Sequence, residues 1–289
     1  MPVAALMLII VAAFIHAGWN LLVKHAGGGT AFVWLYSAAS AVIYAPVVAW
    51  VLLVDPPLHY GWLHWLLIVV SGVLHLLYAV TLSRGYEVAD LSVVYPMARG
   101  TGPLLTCFVA IVLLGERPTP FGYAGIFLII GGVLLIAVAP GAAVSGRERL
   151  ARGLYYGMLT GLCIASYTVN DAYAVRVLLV SPVLLDYFGN VVRMLFLTPA
   201  VMANRPAVRL QWRNNLRYAC AVGALMPLSY IIALYAMRLA PVSYVAPARE
   251  LSMLVGALFG AKLFREGNVR QRIAGATLMV LGIAGLALG

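Results

Sequence analysis

The chain has 289 residues, of which 64% are hydrophobic and 10% charged, and its formal net charge is +10. Soluble domains carry about 25% charged residues. This composition excludes an ordinary water-soluble domain, and the excess of positive charge is read as loop charge beside a membrane, not as a nucleic-acid signal.

Ten apolar stretches follow one another along the chain: 3–24, 31–54, 61–83, 90–114, 120–139, 151–174, 180–203, 216–239, 242–264 and 270–288. About twenty apolar residues in a helix cross the hydrocarbon core of a bilayer. Backbone groups in lipid must bond internally, so only helices or a closed barrel can span. The stretches are continuously apolar with no alternation, which excludes the barrel. The fold class is an all-α membrane protein with ten transmembrane helices. The first stretch lacks a basic leading region and is too long for a cleaved leader, so it reads as a retained span. The longest connections, near 140–150 and 204–215, leave no room for a soluble domain.

Cys107, Cys163 and Cys220 fall inside predicted helices and read as small packing residues. The sequence has no C-x-x-C spacing and no G-x-x-x-x-G-K-[ST] loop. It therefore predicts no metal, no cofactor and no nucleotide-driven pump.

The stretches VVYPMARG (93–100) and YVAPARE (244–250) are two copies of one pattern. At an offset of 151, Ala89, Ser92, Val94 and Pro96 meet Ala240, Ser243, Val245 and Pro247. At an offset of 150, Ala98, Arg99, Glu116, Gly125 and Gly132 meet Ala248, Arg249, Glu266, Gly275 and Gly282. The chain thus divides into a first five-helix repeat (1–140), a connecting loop (141–150) and a second repeat (151–289). Five crossings per half put the second half into the membrane from the opposite side, the inverted-repeat plan of secondary transporters.

The opening AGWNLLVKHA, the proline-bearing fourth helix and LLGERPTPFGYAGIFLIIGGVLL, repeated as LFREGNVRQRIAGATLMVLGIAGL, resemble the drug/metabolite transporter superfamily, EamA branch. The glutamate after the fourth helix of each half, Glu116 and Glu266, is part of that likeness, which covers essentially the whole chain. The opening is also similar to a phosphonate-associated branch. The resemblance implies a secondary transporter of the inner membrane, often an exporter of amino acids or related metabolites. It further implies a central cavity lined by helices 1, 3, 4, 6, 8 and 9.

Three arginines lie within the spans: Arg99, Arg193 and Arg249. Each costs roughly 2.5–3.5 kcal/mol at a helix centre if unpaired. Arg99 and Arg249 are the candidate substrate anchors, since a guanidinium grips carboxylate or phosphonate oxygens in a fork. The structural alternative is an ion pair, with Arg249 tied to Asp171 or Glu250 and Arg99 bonded to carbonyls freed by Pro96 and Pro103. The second copy carries Glu250 where the first has Gly100. Arg99 is thereby expected to be the free anchor and Arg249 the neutralised one. Arg193, on helix 7, is expected outside the cavity, with Asp186 as a candidate partner.

The other candidate substrate contacts are Trp19, Asn20, Tyr78, Tyr95, Asn170, Asp171, Tyr230 and Glu250. Tyr167, Tyr235 and Tyr244 offer further hydroxyls. His16, His75 and Glu250 are the candidates for proton coupling. GMLTG (157–161) and GALFG (256–260) are small-xxx-small packing signals.

Thirteen lysines and arginines fall in the odd-numbered loops, including Lys24, Arg84, Arg147, Arg205 and Lys262. Only Arg117, Arg176 and Arg238 fall in the others. Positive charge collects on the cytoplasmic side, so this bias places both termini outside the cytoplasm, whereas the resemblance implies cytoplasmic termini. The sequence thus predicts a non-enzymatic secondary transporter of a small anionic or zwitterionic metabolite, as monomer or homodimer in the lipid bilayer, with proton coupling. A quaternary-amine exporter and a lipid-headgroup translocase are the alternatives.

Overall fold

The computed structural model describes residues 1–27, 29–137, 146–255 and 269–289. Its elements are α1 (Val3–Ala26), α2 (Thr30–Val54), α3 (Trp62–Val88), α4 (Leu91–Val112), α5 (Pro120–Ala137), α6 (Arg147–Arg176), α7 (Pro182–Ala203), α8 (Arg205–Leu239), α9 (Val242–Ala248) and α10 (Val269–Leu288). No strand occurs among the described residues. The helices follow the apolar runs, and their ends follow local chemistry. Lys24 and His25 occupy the last turn of α1, and Gly27 closes it at φ 78°, a left-handed conformation that glycine adopts freely. Asn204 opens α8, its side chain accepting a hydrogen bond from the Ala207 N–H at 3.4 Å.

Two departures from the expected spans have physical causes. The connection expected at 204–215 is helical, so α8 runs unbroken for 35 residues. It is polar, with exposed arginines one turn apart at 205, 209, 213 and 217, so hydropathy could not register it. The ninth stretch is not one helix. Pro247 has no N–H to give, and α9 ends at Ala248. Residues 249–250 form a turn, and the helix resumes over 251–255. The Arg249 N–H still reaches the Val245 carbonyl at 3.0 Å. Glu250, Ser252 and Met253 instead bond three residues back, to Pro247, Arg249 and Glu250, a local 3₁₀ tightening. Its counterpart α4 carries Pro96 and Pro103 yet runs through Arg99 without a break.

Among the described residues, five helices are long and apolar enough to cross a membrane: α1, α2, α3, α7 and α8. The apolar lengths of α5 and α10 are shorter, at Pro120–Leu135 and Ile273–Leu288. Large apolar side chains such as Trp50, Phe108, Phe127, Phe196 and Ile273 are exposed on the outside, as a surface solvated by lipid requires. Inside, Ile68, Ile129, Leu185, Leu234 and Met237 pack into one buried cluster.

The most extensive helix contact joins α5 to α10, and it is made by the repeated glycines. A Cβ on Gly125 would stand 2.6 Å from the Gly282 carbonyl oxygen, and one on Gly132 would stand 2.6 Å from that of Gly275. The pairing is crossed, since Gly125 matches Gly275 in the repeat but touches Gly282. Rising number on α5 meets falling number on α10, so these two matched helices run antiparallel. Elsewhere α1 packs on α8, and α3 packs on α6. Gly157 and Gly161 of α6 meet the backbone of α4 near Val94 and Gly102, which makes the GMLTG spacing a helix–helix contact. GALFG lies outside the described residues.

Candidate functional site

The helices line a central cavity that is partly open to its surroundings. Its walls come from α1, α3, α4, α6, α7, α8 and the residues around the α9 break. Six of these seven contributors are the expected helices. The addition is α7, from which Asp186, Asn190 and Arg193 face the cavity. Gly72 of α3 allows this approach: a Cβ there would lie 2.6 Å from the Gly189 carbonyl oxygen, a backbone atom of α7. Helix 7 therefore sits too close to α3 to be kept out of the centre.

Arg99 and Glu250 form an ion pair across the cavity wall, with Arg99 Nε 2.9 Å from Glu250 Oε2. Arg99 Nη2 also donates to the Ser252 hydroxyl at 3.3 Å. Both side chains are largely buried, at 18% and 8% exposure. This corrects the expected distribution of charge, in which Arg99 was free and Arg249 was neutralised by its neighbour. Successive residues of a helical turn point in different directions. The 249–250 turn sends the two side chains apart and gives Glu250 to the other half of the chain.

Arg249 lines the cavity with no hydrogen bond or ion pair from its guanidinium among the described residues. It lies within electrostatic reach of Glu250 and Asp171, and it stands over the Tyr230 ring, 5.1 Å from the ring centre. Such a contact is worth about 2 kcal/mol or more when desolvated. Tyr230 is in turn fixed by its hydroxyl, which donates to Asp171 Oδ2 at 2.5 Å. Asn170 donates to the other oxygen of Asp171 at 2.9 Å and to the Leu67 carbonyl at 3.0 Å. Asp171 is fully buried and stands behind the ring. It reaches the cavity through Tyr230, and it does not pair with Arg249.

An aromatic cluster fills the middle of the site. His75 stacks on Tyr167 with ring centres 4.0 Å apart and meets Tyr230 edge-on at 5.2 Å. His75 Nδ1 lies 2.9 Å from the Ser71 carbonyl oxygen. A carbonyl only accepts, so the ring proton sits on Nδ1, and in the neutral ring Nε2 is left as an acceptor. Trp19 packs against His16 at 4.6 Å and donates to the Ser229 hydroxyl at 3.2 Å. Tyr78 completes this wall.

On α7, Arg193 Nη2 donates to Asn190 Oδ1 at 2.6 Å, and the guanidinium lies 5.8 Å from the Tyr36 ring centre. Asn190 donates to the Ser37 carbonyl at 3.0 Å. Asp186 faces the cavity without a hydrogen bond or ion pair among the described residues. Sequence reading named Asp186 only as a partner for Arg193 and overlooked Asn190. The signal was present: residues 186, 190 and 193 are spaced four and three apart on one helix face.

Several expected contacts lie elsewhere. Asn20 is exposed, its amide bonded to the His16 carbonyl of its own helix. Tyr95 lies beside Arg99, 6.0 Å from it, outside the cavity lining. Tyr235 is exposed near Arg238. Buried Tyr244 accepts the Thr119 N–H at 3.0 Å. Glu116 has a structural position: its carboxylate accepts the Val242 and Ser243 N–H groups at 2.8 and 2.9 Å and holds Arg176 at 2.5 Å. It caps α9, in the other half of the chain. Glu266 lies outside the described residues. No cluster of metal-ligating side chains occurs among the described residues.

Comparison with known proteins agrees with this architecture. A solved structure titled only "Crystal structure of protein" superposes with a TM-score of 0.77 at 14% identity, over 98% of this chain and 98% of that one. At that identity it shows the fold alone. No curated protein matches the chain. Residues 3–138 match the model of the EamA-like transporter family. That segment, just under half of the chain, is similar to the EamA-like transporter family, and the apolar helices make the chain a multi-pass membrane protein.

Proposed function

We propose that this protein is a secondary active transporter that carries a small anionic or zwitterionic metabolite across the cell membrane by alternating access. The family supplies the coarser statement, a membrane transporter of small solutes. The finer one is carried by a single observation: Arg249 presents its guanidinium to a central cavity with no carboxylate against it. A half-buried cation with no ion-pair partner is under-compensated, and a carboxylate or phosphonate on the ligand supplies what is missing. The two halves are inverted five-helix repeats (1–140 and 151–289, joined by 141–150), a reading supported by the antiparallel, crossed contact of α5 with α10. Rocking of one repeat against the other exposes the cavity to each side in turn.

The quaternary-amine alternative relied on Glu250 as the cation's counter-charge. That carboxylate is held by Arg99, so the anionic reading is preferred. The bias of basic residues, including the exposed row on α8 at 205, 209, 213 and 217, supports termini on the non-cytoplasmic side of the inner membrane. A C-terminal alkaline phosphatase fusion is then active and a C-terminal fluorescent-protein fusion dark.

The experiment for the main reading is uptake of radiolabelled carboxylates and phosphonates into proteoliposomes, with thermal shift as a parallel readout. Small acids stabilise the wild-type protein and compete for uptake, and Arg249→Gln loses both responses. Retention of both by Arg249→Gln, or stabilisation by quaternary amines in place of acids, overturns it.

A further inference from the structure

A second unpartnered charge faces the same cavity. Asp186 on α7 and Arg249 at the α9 break both line it, and among the described residues neither makes a hydrogen bond or ion pair. They do not pair with each other among the described residues, and Arg249 is not among the charges that act on Asp186. Arg249 lies 5.1 Å from the centre of the Tyr230 ring, and that ring lies 5.2 Å from His75. Beyond His75 comes Ser71, against the Gly189 turn of α7 that carries Asp186 one turn earlier. Asp186 falls within the electrostatic reach of Arg193 and Asp171, and Arg249 within that of Glu250, Asp171, His16 and His75. The two free charges therefore occupy separate ends of one site.

The balance of charge around the cavity constrains the ligand further. Three guanidiniums (Arg99, Arg193, Arg249) are set against three carboxylates (Asp171, Asp186, Glu250). An ionised set is neutral, and a charge left uncompensated in a low-dielectric interior is expensive. A monoanion or a dianion would answer Arg249 and leave Asp186 without a partner. A ligand of zero net charge, with its two charges held apart, answers both. Arg193 lies within electrostatic reach of Asp186 but makes no ion pair with it; its Nη2 is bonded to Asn190 and its guanidinium faces the Tyr36 ring.

Resting on the transporter reading above, we infer that Asp186 is the cation-recognising residue of the site and that the substrate is a zwitterion whose cationic and anionic groups are separated by several carbon atoms. The anionic group meets Arg249, the cationic group meets Asp186, and the connecting chain lies over Tyr230, Tyr167 and His75. An α-amino acid, with both groups on adjacent atoms, cannot reach both ends.

Binding of 5-aminopentanoate, 2-aminopentanoate and pentanoate to the purified full-length protein in nanodiscs, measured by titration calorimetry, tests this. The wild type binds 5-aminopentanoate at least tenfold more tightly than either of the others. Asp186→Asn loses that preference while its affinity for pentanoate is kept, which also shows that the variant is folded. Asp186→Glu restores the preference for a zwitterion over pentanoate. Unchanged binding of 5-aminopentanoate by Asp186→Asn overturns the inference, as does equal binding of the two amino acids by the wild type. If Arg249→Gln leaves pentanoate binding intact, the anionic end is misassigned and the transporter reading falls with it. Loss of the preference in Asp186→Asn with loss of pentanoate binding in Arg249→Gln supports both.

Discussion

Glu250 follows Arg249 in the chain but turns to Arg99, holding its Nε at 2.9 Å. The contact joins the repeated arginine of the first half to Glu250, which stands in the second half where the first has Gly100. It closes α4 onto the α9 break across the cavity wall. Because it is a neutral pair, it removes one guanidinium from the ligand and leaves the other.

Breaking that pair from one side strands a charge. Arg99→Gln and Glu250→Gln are each expected to lose about 3–5 kcal/mol of stability, the range for an uncompensated buried partner. The double variant Arg99→Met/Glu250→Leu recovers most of the loss, because removing both charges removes the desolvation problem. Thermal unfolding in nanodiscs measures all three. Equal destabilisation of the double and single variants would refute the pairing.

Tyr230 serves two neighbours by different atoms, and two substitutions separate them. Tyr230→Phe keeps the ring under Arg249 but takes the donor from Asp171, leaving a buried oxygen one bond short at about 1–3 kcal/mol. Tyr230→Leu loses that bond and the π face as well. The first is expected to lower the melting temperature with ligand affinity nearly unchanged. The second weakens acid binding by roughly tenfold, from a cation–π contact worth about 1–2 kcal/mol. Calorimetric binding beside thermal unfolding distinguishes them.

Glu116 holds the start of α9 from more than a hundred positions earlier in the chain. Glu116→Ala leaves the Val242 and Ser243 N–H groups without their acceptor and Arg176 without its partner. Loss of a helix cap costs about 0.5–2 kcal/mol, and loss of the ion pair adds to it. Glu116→Gln, which keeps one acceptor oxygen, is expected to fall between wild type and alanine in melting temperature. An alanine variant as stable as wild type would remove the cap from the account of α9.

The glycine seam offers a comparison within one helix. Gly125→Ala drives a methyl to 2.6 Å from the Gly282 carbonyl oxygen and 2.9 Å from the Leu286 nitrogen, both backbone atoms that cannot swing aside. It is expected to destabilise by about 1–3 kcal/mol, as overpacking does. Gly131 on the same helix has nothing within 4 Å of its added Cβ. Gly131→Ala is expected to stabilise by about 0.5–1 kcal/mol, since glycine is the poorer helix residue. Unfolding midpoints of the two variants should move in opposite directions.

Hydrophobic run length was enough to find the long helices among the described residues, and the offset of about 150 residues had already matched the glycines that join α5 to α10. What it missed was polar or irregular. The first turns of α8 carry arginines, and hydropathy reads such a segment as loop even when helix propensity and a cap make it helix. The break at 249–250 and the unbroken α4 both follow prolines, and a proline in sequence does not say whether its helix kinks or stops. The partner of Glu250 was misjudged for a related reason. Sequence adjacency suggested Arg249, but only the turn decides where each side chain points. Asp186 and Asn190 were legible as a polar face of α7 and were set aside because the family likeness put that helix outside the cavity.

The crossed glycine contacts describe a frame that looks alike from either half, and a frame of that kind would offer a ligand two equivalent ways to lie. Glu250 removes the equivalence. With Arg99 occupied and Arg249 open, the cavity has a head and a tail, and both of its walls come from a single chain. Saturation should therefore occur at one ligand per polypeptide, with a single bound orientation.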